Sequence, residues 1–509
     1  MFRQFGPLFR VSSCDRRQSR VESRVEARVD LIAVAGILPR MRDAATRSAL
    51  ENLAQHFPGR FAVAEAVRQQ HANTLSLIPN QPPDAVVWAQ TADDVVRVVQ
   101  WASDHGVPVI AFGAGTSLEG QVNAPHGGIA LDMSRMTAIQ RVSPEDLDCT
   151  VETGVTRRQL NAHLRDTGLF FSVDPGAEDA TLGGMAATRA SGTTTVRYGT
   201  MSENVLSLTA VMADGSIVET GNRARKSAAG YDLTRLLIGS EGTLGIITAL
   251  TVRLHPVPQT IGAASVTFET LEDACRAALE ATLANAGMAR VELADALTIE
   301  AVNRHSGLSL ATRPTLFIEW HTTTGCAPLC AASIREVCMG NGAVSFEGAD
   351  DQEARNRLWR ARHDAFWAIR GAWPGKTPVV TDACVPVSRL AECIALTAID
   401  IRESGLIAPI VGHVGDGNFH TVPMIELASA TDVAKVYGFL ERLSDRAASM
   451  GGTCSGEHGI GQGKMAALGR QAGAAVHVMG QIKRALDPKG ILNPGKMLPV
   501  RPRGSSSDQ

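Results

Sequence analysis

Long apolar runs, paired cysteines and a strong net charge are all missing from this chain. No stretch reaches the roughly 20 apolar residues that a membrane-crossing helix needs, and the best early run covers only residues 31–38, so a transmembrane segment is not expected. Nine cysteines, an odd number with no Cys-x-x-Cys pair, suit a reducing compartment better than a disulfide scaffold. The nearest cluster, Cys326, Cys330 and Cys338, has the spacing of no standard zinc or iron–sulfur site and reads as structural thiols. A formal net charge of −3 gives no overall reason to expect nucleic acid or an anionic membrane as partner. A small molecule is the expected partner. No repeat occurs at solenoid periods.

What is present is a globular composition, 44% apolar and 20% charged over 509 residues, enough for two or three packed domains. The first thirty residues are rich in Arg but also carry Asp15, Glu22, Glu26 and Asp30, unlike an organelle-targeting segment. Residues 1–40 are therefore expected to be disordered or a misassigned start. Residues 41–72 read as helical. From Pro83 the pattern becomes strand (85–88), helix (91–104, with Thr91 as N-cap) and strand (107–112). Further strands are expected at 246–252, 263–268 and 315–321, and helices at 271–284, 430–450 and 474–486. His255-Pro256-Val257-Pro258 looks like a boundary, because two prolines in four residues interrupt both helix and sheet. The expected division is 41–257, 258–486, a closing segment 487–500 and a disordered tail 501–509.

The 48 glycines cluster. Gly113, Ala114, Gly115, Thr116 and Ser117 follow an apolar strand, where small residues leave backbone N–H groups free to hold an anion. A second stretch runs from Pro175 through Thr181, Gly183 and Gly184 to Ser191, Gly192 and Gly199, and a third from Gly239 to Gly245. One such loop alone could be a tight turn, and the first is a poor dinucleotide fingerprint because its third glycine is misplaced. Three together suggest a cradle for something flat and large.

A different chemistry is written in residues 413–420. Asp416-Gly417 signals a two-residue hairpin turn, which would set His413 opposite His420 on one face, close enough to share a metal ion. A histidine pair across a hairpin can also be purely structural. A second segment, Ser455 to Ile460, places Glu457 and His458 between glycines that let the backbone present them to a cavity.

Taken in order, residues 113–120, 173–177, 183–187, 196–200, 226–231 and 239–245 resemble the FAD-binding domain of the vanillyl-alcohol-oxidase/PCMH flavoprotein superfamily. Residues 60–499 are similar to the D-lactate dehydrogenases that pass electrons to a cytochrome or quinone, kin of the glycolate and D-2-hydroxyglutarate dehydrogenases. The resemblance implies an α+β fold: a two-subdomain FAD-binding domain, an α+β substrate domain with an antiparallel sheet, and a C-terminal helical segment returning to the FAD domain. It implies FAD contacts at Gly113, Ala114, Gly115, Thr116, Ser117, Pro175, Thr181, Gly183, Gly184, Ala187, Ser191, Gly192, Tyr198, Gly199, Glu241, Ile246, Ile247 and Asn493. The flavin is expected to be non-covalent, since the first loop has no histidine. His413, His420 and Glu457 map onto ligands of a divalent metal, zinc or manganese, His458 onto the base, and Arg362 onto the carboxylate anchor, although Arg355, Arg357 and Arg360 share its helix and could make it one more solvated charge.

The implied reaction is oxidation of a 2-hydroxy acid, with the proton taken by His458 and hydride passing from Cα to flavin N5. Phe366, one helical turn after Arg362, and Val380 replace polar residues of the hydroxyglutarate-specific relatives, which favours D-lactate or another small D-2-hydroxy acid, even with Lys376 nearby. D-2-hydroxyglutarate or glycolate oxidation, a flavin-dependent transferase of the alkylglycerone-phosphate synthase type, and a silent FAD-binding protein are the alternatives. Electrons would leave to a quinone, a cytochrome or an electron-transfer flavoprotein. The expected setting is cytoplasmic, peripheral at the inner membrane, or mitochondrial in a eukaryote, with a homodimer allowed.

Overall fold

The computed structural model describes residues 44–72, 77–224, 226–284, 286–349 and 351–498. The expectations for residues 1–40 and 501–509, including the apolar run at 31–38, lie outside the described residues.

Three sheets organise the chain. In the first, Ala85–Trp88, Ile129–Asp132 and Val109–Phe112 run parallel, and Phe61–Ala62 joins antiparallel at one edge. These parallel strands are nearly continuous apolar runs because both faces are covered. The helix Ala92–His105 provides the crossover. Thr91 caps it by accepting from the Asp94 N–H at 3.2 Å, left-handed Gly106 ends it, and Val95, Val98, Val99 and Ala102 form its buried stripe. The strand ending at Phe112 therefore delivers residues 113–117 at the carboxyl edge of the parallel strands, where open α/β sheets receive ligands.

The second sheet is antiparallel, in the order Ile139–Ser143, Asp148–Glu152, Ile246–Arg253, Val205–Val211, Ile217–Glu219. Leu160, Leu164, Leu182 and Met185, from the helices Arg157–Leu164 and Leu182–Thr188, share its core. The third has seven strands, in the order Ala343–Ala349, Thr260–Phe268, Thr315–Thr322, Met288–Ala294, Ile410–His413, Asn418–Thr421, Ala383–Cys384. The C-terminal chain returns to the first two layers. Ile482 and Leu486 of the helix Ala475–Leu486 pack on the second core, Ile491 and Leu492 enter the first, and Leu492 bridges to Val109. No helix among the described residues is long and apolar enough to cross a membrane.

Two expectations need correction. Residues 41–72 are not one helix: Ala44–Gln55 and Glu65–Gln70 are separated by the strand Phe61–Ala62. Pro58 and Gly59, the latter at φ +68°, break the helix. His255–Pro256 does not interrupt pairing either; it forms a short antiparallel ladder with Leu169–Phe170, an isolated two-strand pair that tolerates proline's missing donor.

Candidate active site

The seven-stranded sheet sets the metal-ligand candidates side by side. Along one row, Phe317, Glu292, His413, Asn418 and Cys384 pair in register across five strands. His420 lies two register positions away, opposite Val411 rather than His413. The expected two-residue turn is a four-residue loop, 414–417, held by tertiary contacts. Val414 is fully buried, the Gly415 N–H donates to the Val291 carbonyl, and the Gly417 carbonyl accepts from Val385 N–H. Gly417, at φ +86°, has no room for a Cβ beside the Val385 carbonyl. The register is thus offset by two from expectation, and an even offset keeps both histidines on one face as diagonal neighbours. Their ring centroids are 5.4 Å apart. Phe419, fully buried in the core on the opposite face, anchors the strand, and truncating it to Ala costs about 3–5 kcal/mol.

Each ring is oriented through Nδ1. His413 Nδ1 lies 2.7 Å from Glu292 Oε1, and His420 Nδ1 lies 2.8 Å from the Thr381 carbonyl, which only an N–H can satisfy. With the proton on Nδ1, Nε2 carries the lone pair. Both Nε2 atoms face Glu457 Oε1, at 3.5 Å from His413 and 3.0 Å from His420, and His458 Nε2 lies 3.4 Å from the same oxygen. His458 stacks on His420 at 4.9 Å, and its Nδ1 is buried with no partner. Ligand-type atoms of His413, His420 and Glu457 lie within 4.8 Å of one another, as do those of Asp382, His420 and His458. The first set suits a divalent cation better, because the Asp382 oxygens are already occupied.

Asp382 shapes the loop that carries Glu457 and His458. Its Oδ2 accepts from the Glu457 and His458 N–H groups at 3.1 and 3.0 Å and from Ser455 Oγ at 2.8 Å, while Oδ1 accepts from Asn418 Nδ2 at 2.8 Å. Lys464 Nζ bridges Asp382 and Glu119 at 3.3 and 3.2 Å. Burial alone would raise the Asp382 carboxyl, but Lys464, His458 and His420 hold it well below the usual range. Burial would likewise depress His413, yet the Glu292 and Glu457 carboxylates carry it well above the ordinary value. Glu457 is held well below its ordinary value, His413 chiefly overcoming the burial penalty. The carboxylates of Glu292 and Glu457 and the His413 ring thus answer one another's charge within the cluster.

Arg362 points into this cluster. Its side chain is 12% exposed, Nη2 lies 2.6 Å from Glu292 Oε2, and Nε is buried without a partner. Arg355 and Arg357 instead bond to Gln352 and Glu353 on the outside of the same helix. Phe366 does not follow Arg362 by one turn of a continuous helix. Asp364 stands between Gln352–His363 and Ala365–Ala372, so Phe366 projects from a second helix, half-buried against Trp367. Val380, half-buried, precedes Thr381, whose carbonyl orients His420.

The glycine loops have a different character. Ala114 and Thr116 are exposed, Gly113 and Gly115 half-buried, and Ser117 Oγ is buried with no partner. A Cβ at Gly113 would strike the Thr181 hydroxyl, which caps Leu182–Thr188 through the Gly184 N–H. Glu241 and Asn493 both adopt left-handed backbone, at φ 53° and 40°. Asn493 Nδ2 donates to the Gln121 and Glu241 carbonyls, joining the first and third loops. These loops reach the cluster directly: Ser191 Oγ donates to Glu457 Oε2 at 3.2 Å, Gln121 Nε2 to the His458 carbonyl at 2.7 Å, and the Ile460 and Gly461 N–H groups to the Glu241 carboxylate at 2.7 and 2.8 Å. A cavity of about 370 Å³ opens between Arg189, Gly239, Glu241, Gly456, Glu457 and Ile460. Open backbone, an unpartnered buried hydroxyl and this cavity fit an extended anionic cofactor. Pro175 and Ala187 are half-buried, Gly192 and Gly199 flank the short helix Thr195–Tyr198, and Ile246 and Ile247 lie buried in the second sheet. Tyr198 is committed elsewhere, its hydroxyl 2.7 Å from His321 Nδ1.

Sequence reading missed Glu292, Asp382, Glu119, Gln121 and Lys464. Glu292 had a signal: an acid inside Val291-Glu292-Leu293-Ala294, in a strand otherwise apolar at that end, demands a buried partner. The others carry no local pattern.

Residues 83–221 match the model of the FAD binding domain and residues 257–497 that of the FAD linked oxidases, C-terminal domain. A zebrafish (Danio rerio) protein named "Probable D-lactate dehydrogenase, mitochondrial" is 46% identical over 86% of this chain and 88% of its own. An Arabidopsis thaliana protein named "D-lactate dehydrogenase [cytochrome], mitochondrial" is 41% identical over 82% and 74%. The solved structure of a 4-ethylphenol oxidase from Gulosibacter chungangensis superposes with a TM-score of 0.74 at 18% identity, over 91% of this chain and 98% of its own, a likeness of fold. The chain belongs to the D-lactate dehydrogenase family of FAD-linked oxidases.

Proposed function

We propose that this protein oxidises D-lactate, or another small D-2-hydroxy acid, to the 2-oxo acid, using non-covalent FAD and a divalent metal, zinc or manganese. The observation that carries the reading is the convergence of His413, His420 and His458 Nε2 on one Glu457 oxygen, in a loop bonded to the glycine-rich cradle through Ser191, Gln121 and Glu241. The names of the zebrafish and Arabidopsis relatives support the substrate.

When bound, FAD would supply the acceptor for one hydride, which carries the two electrons of the oxidation, and a divalent cation held by His413, His420 and Glu457 would supply the charge that acidifies an α-hydroxyl. Arg362 binds the substrate carboxylate through its free guanidinium edge, which orients Cα. His458 takes the hydroxyl proton at Nδ1, the nitrogen without a partner. The side chains of Arg362, His413, His420, Glu457 and His458 are between 7% and 14% exposed, so the site excludes most water. Phe366 and Val380 offer no partner to a second carboxylate, whose burial would cost several kcal/mol (roughly 2–7 for an uncompensated polar group). A cytochrome is the proposed acceptor, and mitochondria the proposed location where the host is eukaryotic, both by the relatives' designations.

The test is a substrate panel on FAD- and metal-replete protein. D-lactate should give the higher kcat/KM and D-2-hydroxyglutarate the lower; the reverse order overturns the substrate, and metal-free protein of full activity overturns the metal.

A further inference from the structure

We propose that Glu292 is a positioning residue that couples the two halves of the site, one carboxylate oxygen fixing His413 toward the metal and the other fixing Arg362 toward the substrate. The inference rests on the roles proposed above for His413 and Arg362. Glu292 is fully buried on Met288–Ala294, in register opposite His413, so its position is set by two backbone ladders rather than by a flexible loop. Its oxygens divide the two partners: Oε1 is hydrogen-bonded to His413 Nδ1 at 2.7 Å, and Oε2 lies 2.6 Å from Arg362 Nη2 as an ion pair without hydrogen-bond geometry.

A buried carboxylate persists only when its charge is answered, and here a histidine and an arginine share that task. The nearest alternative cation on the same face of the strand, Arg290, is already paired with Asp174 at 3.2 Å and Glu319 at 3.5 Å. Glu292 thereby holds the His413 tautomer whose Nε2 faces the metal, as outer carboxylates do for metal-bound histidines. It also pairs with one Nη of Arg362, whose buried Nε has no partner. Both ligands of the reaction are positioned by a residue that need touch neither.

Glu292→Gln keeps the volume and removes the shared charge. In holoprotein the apparent affinity for Mn²⁺ or Zn²⁺, measured by chelator competition, should fall about tenfold or more, and KM for D-lactate at saturating metal should rise about tenfold, with a smaller change in kcat. Glu292→Asp should fall between the two. Metal affinity and KM both within threefold of wild type overturn the proposal, as does a change in only one of them. Should neither variant fold, Arg362→Met decides. Metal affinity without substrate should change at least threefold, although Arg362 is no ligand, and an unchanged affinity overturns the coupling. Failure of wild-type protein to take up metal sinks the metal reading itself; normal wild-type uptake that Glu292→Gln leaves intact sinks only the role of Glu292.

Discussion

The glycine loops around residues 113–117 and the cluster around Glu457 touch through Ser191, Gln121 and Glu241, yet they are built on opposite principles. The loops present backbone: their side chains are small, several are exposed, and the buried Ser117 hydroxyl is unpartnered. The cluster presents side chains, and nearly every one is held by a second group, His413 by Glu292, His420 by Thr381, the Glu457 loop by Asp382. An extended cofactor can be held by many weak backbone contacts. The metal and base proposed for the cluster would need a few groups aimed within a fraction of an ångström, which the deeper support suits.

If the two regions are separable in this way, damage to one should leave the other's ligand in place. The largest effect is expected of Glu457→Ala: metal content lost, kcat/KM for D-lactate down by about 10³-fold or more, and FAD retained, as read by elemental analysis and flavin absorbance. Next comes His458→Gln, with FAD and metal kept and kcat reduced by about 10²–10⁴-fold, measured at saturating D-lactate. Gly113→Val should do the converse, forcing apart Gly113 and the Thr181 hydroxyl, weakening FAD by about tenfold or more in a flavin titration while metal uptake survives. The smallest effect is on stability. Burial pushes the Glu241 carboxyl from 4.5 up to about 7, so between those values the folded protein holds a proton that the unfolded chain releases, and stability falls as pH rises through that window. Glu241→Gln should flatten that slope, worth on the order of 1–3 kcal/mol, in thermal unfolding midpoints measured from pH 4 to 8.

The same contrast governs what could be read from the chain. Backbone cradles are local, so small residues after an apolar strand announced the first loop at Gly113, and Thr91 marked the start of the preceding helix. The histidine pair was legible for a more fortunate reason. Asp416-Gly417 suggested a two-residue turn, and burial of Val414 with docking of Gly415 on Val291 produced a longer loop, but the slip was even and the shared face survived. An odd slip would have sent His413 and His420 to opposite faces. Asp382 and Lys464 lay beyond reach because the partners of Asp382 stand 36 to 82 positions away and the carboxylates paired with Lys464 stand 82 and 345 away, and only the assembled fold joins them. The continuous helix expected from Arg362 to Phe366 failed at Asp364, where one helix ends and the next begins, a boundary with no proline or glycine to mark it.

Anaerobic mixing of metal-replete holoprotein with D-lactate tests the joint site most directly. The flavin band should bleach within the time of a single turnover, and bleaching should slow by about 10³-fold after chelation and recover when the metal is restored. Bleaching at an undiminished rate in metal-free protein, or none with D-lactate in replete protein, would contradict the joint action of cradle and cluster.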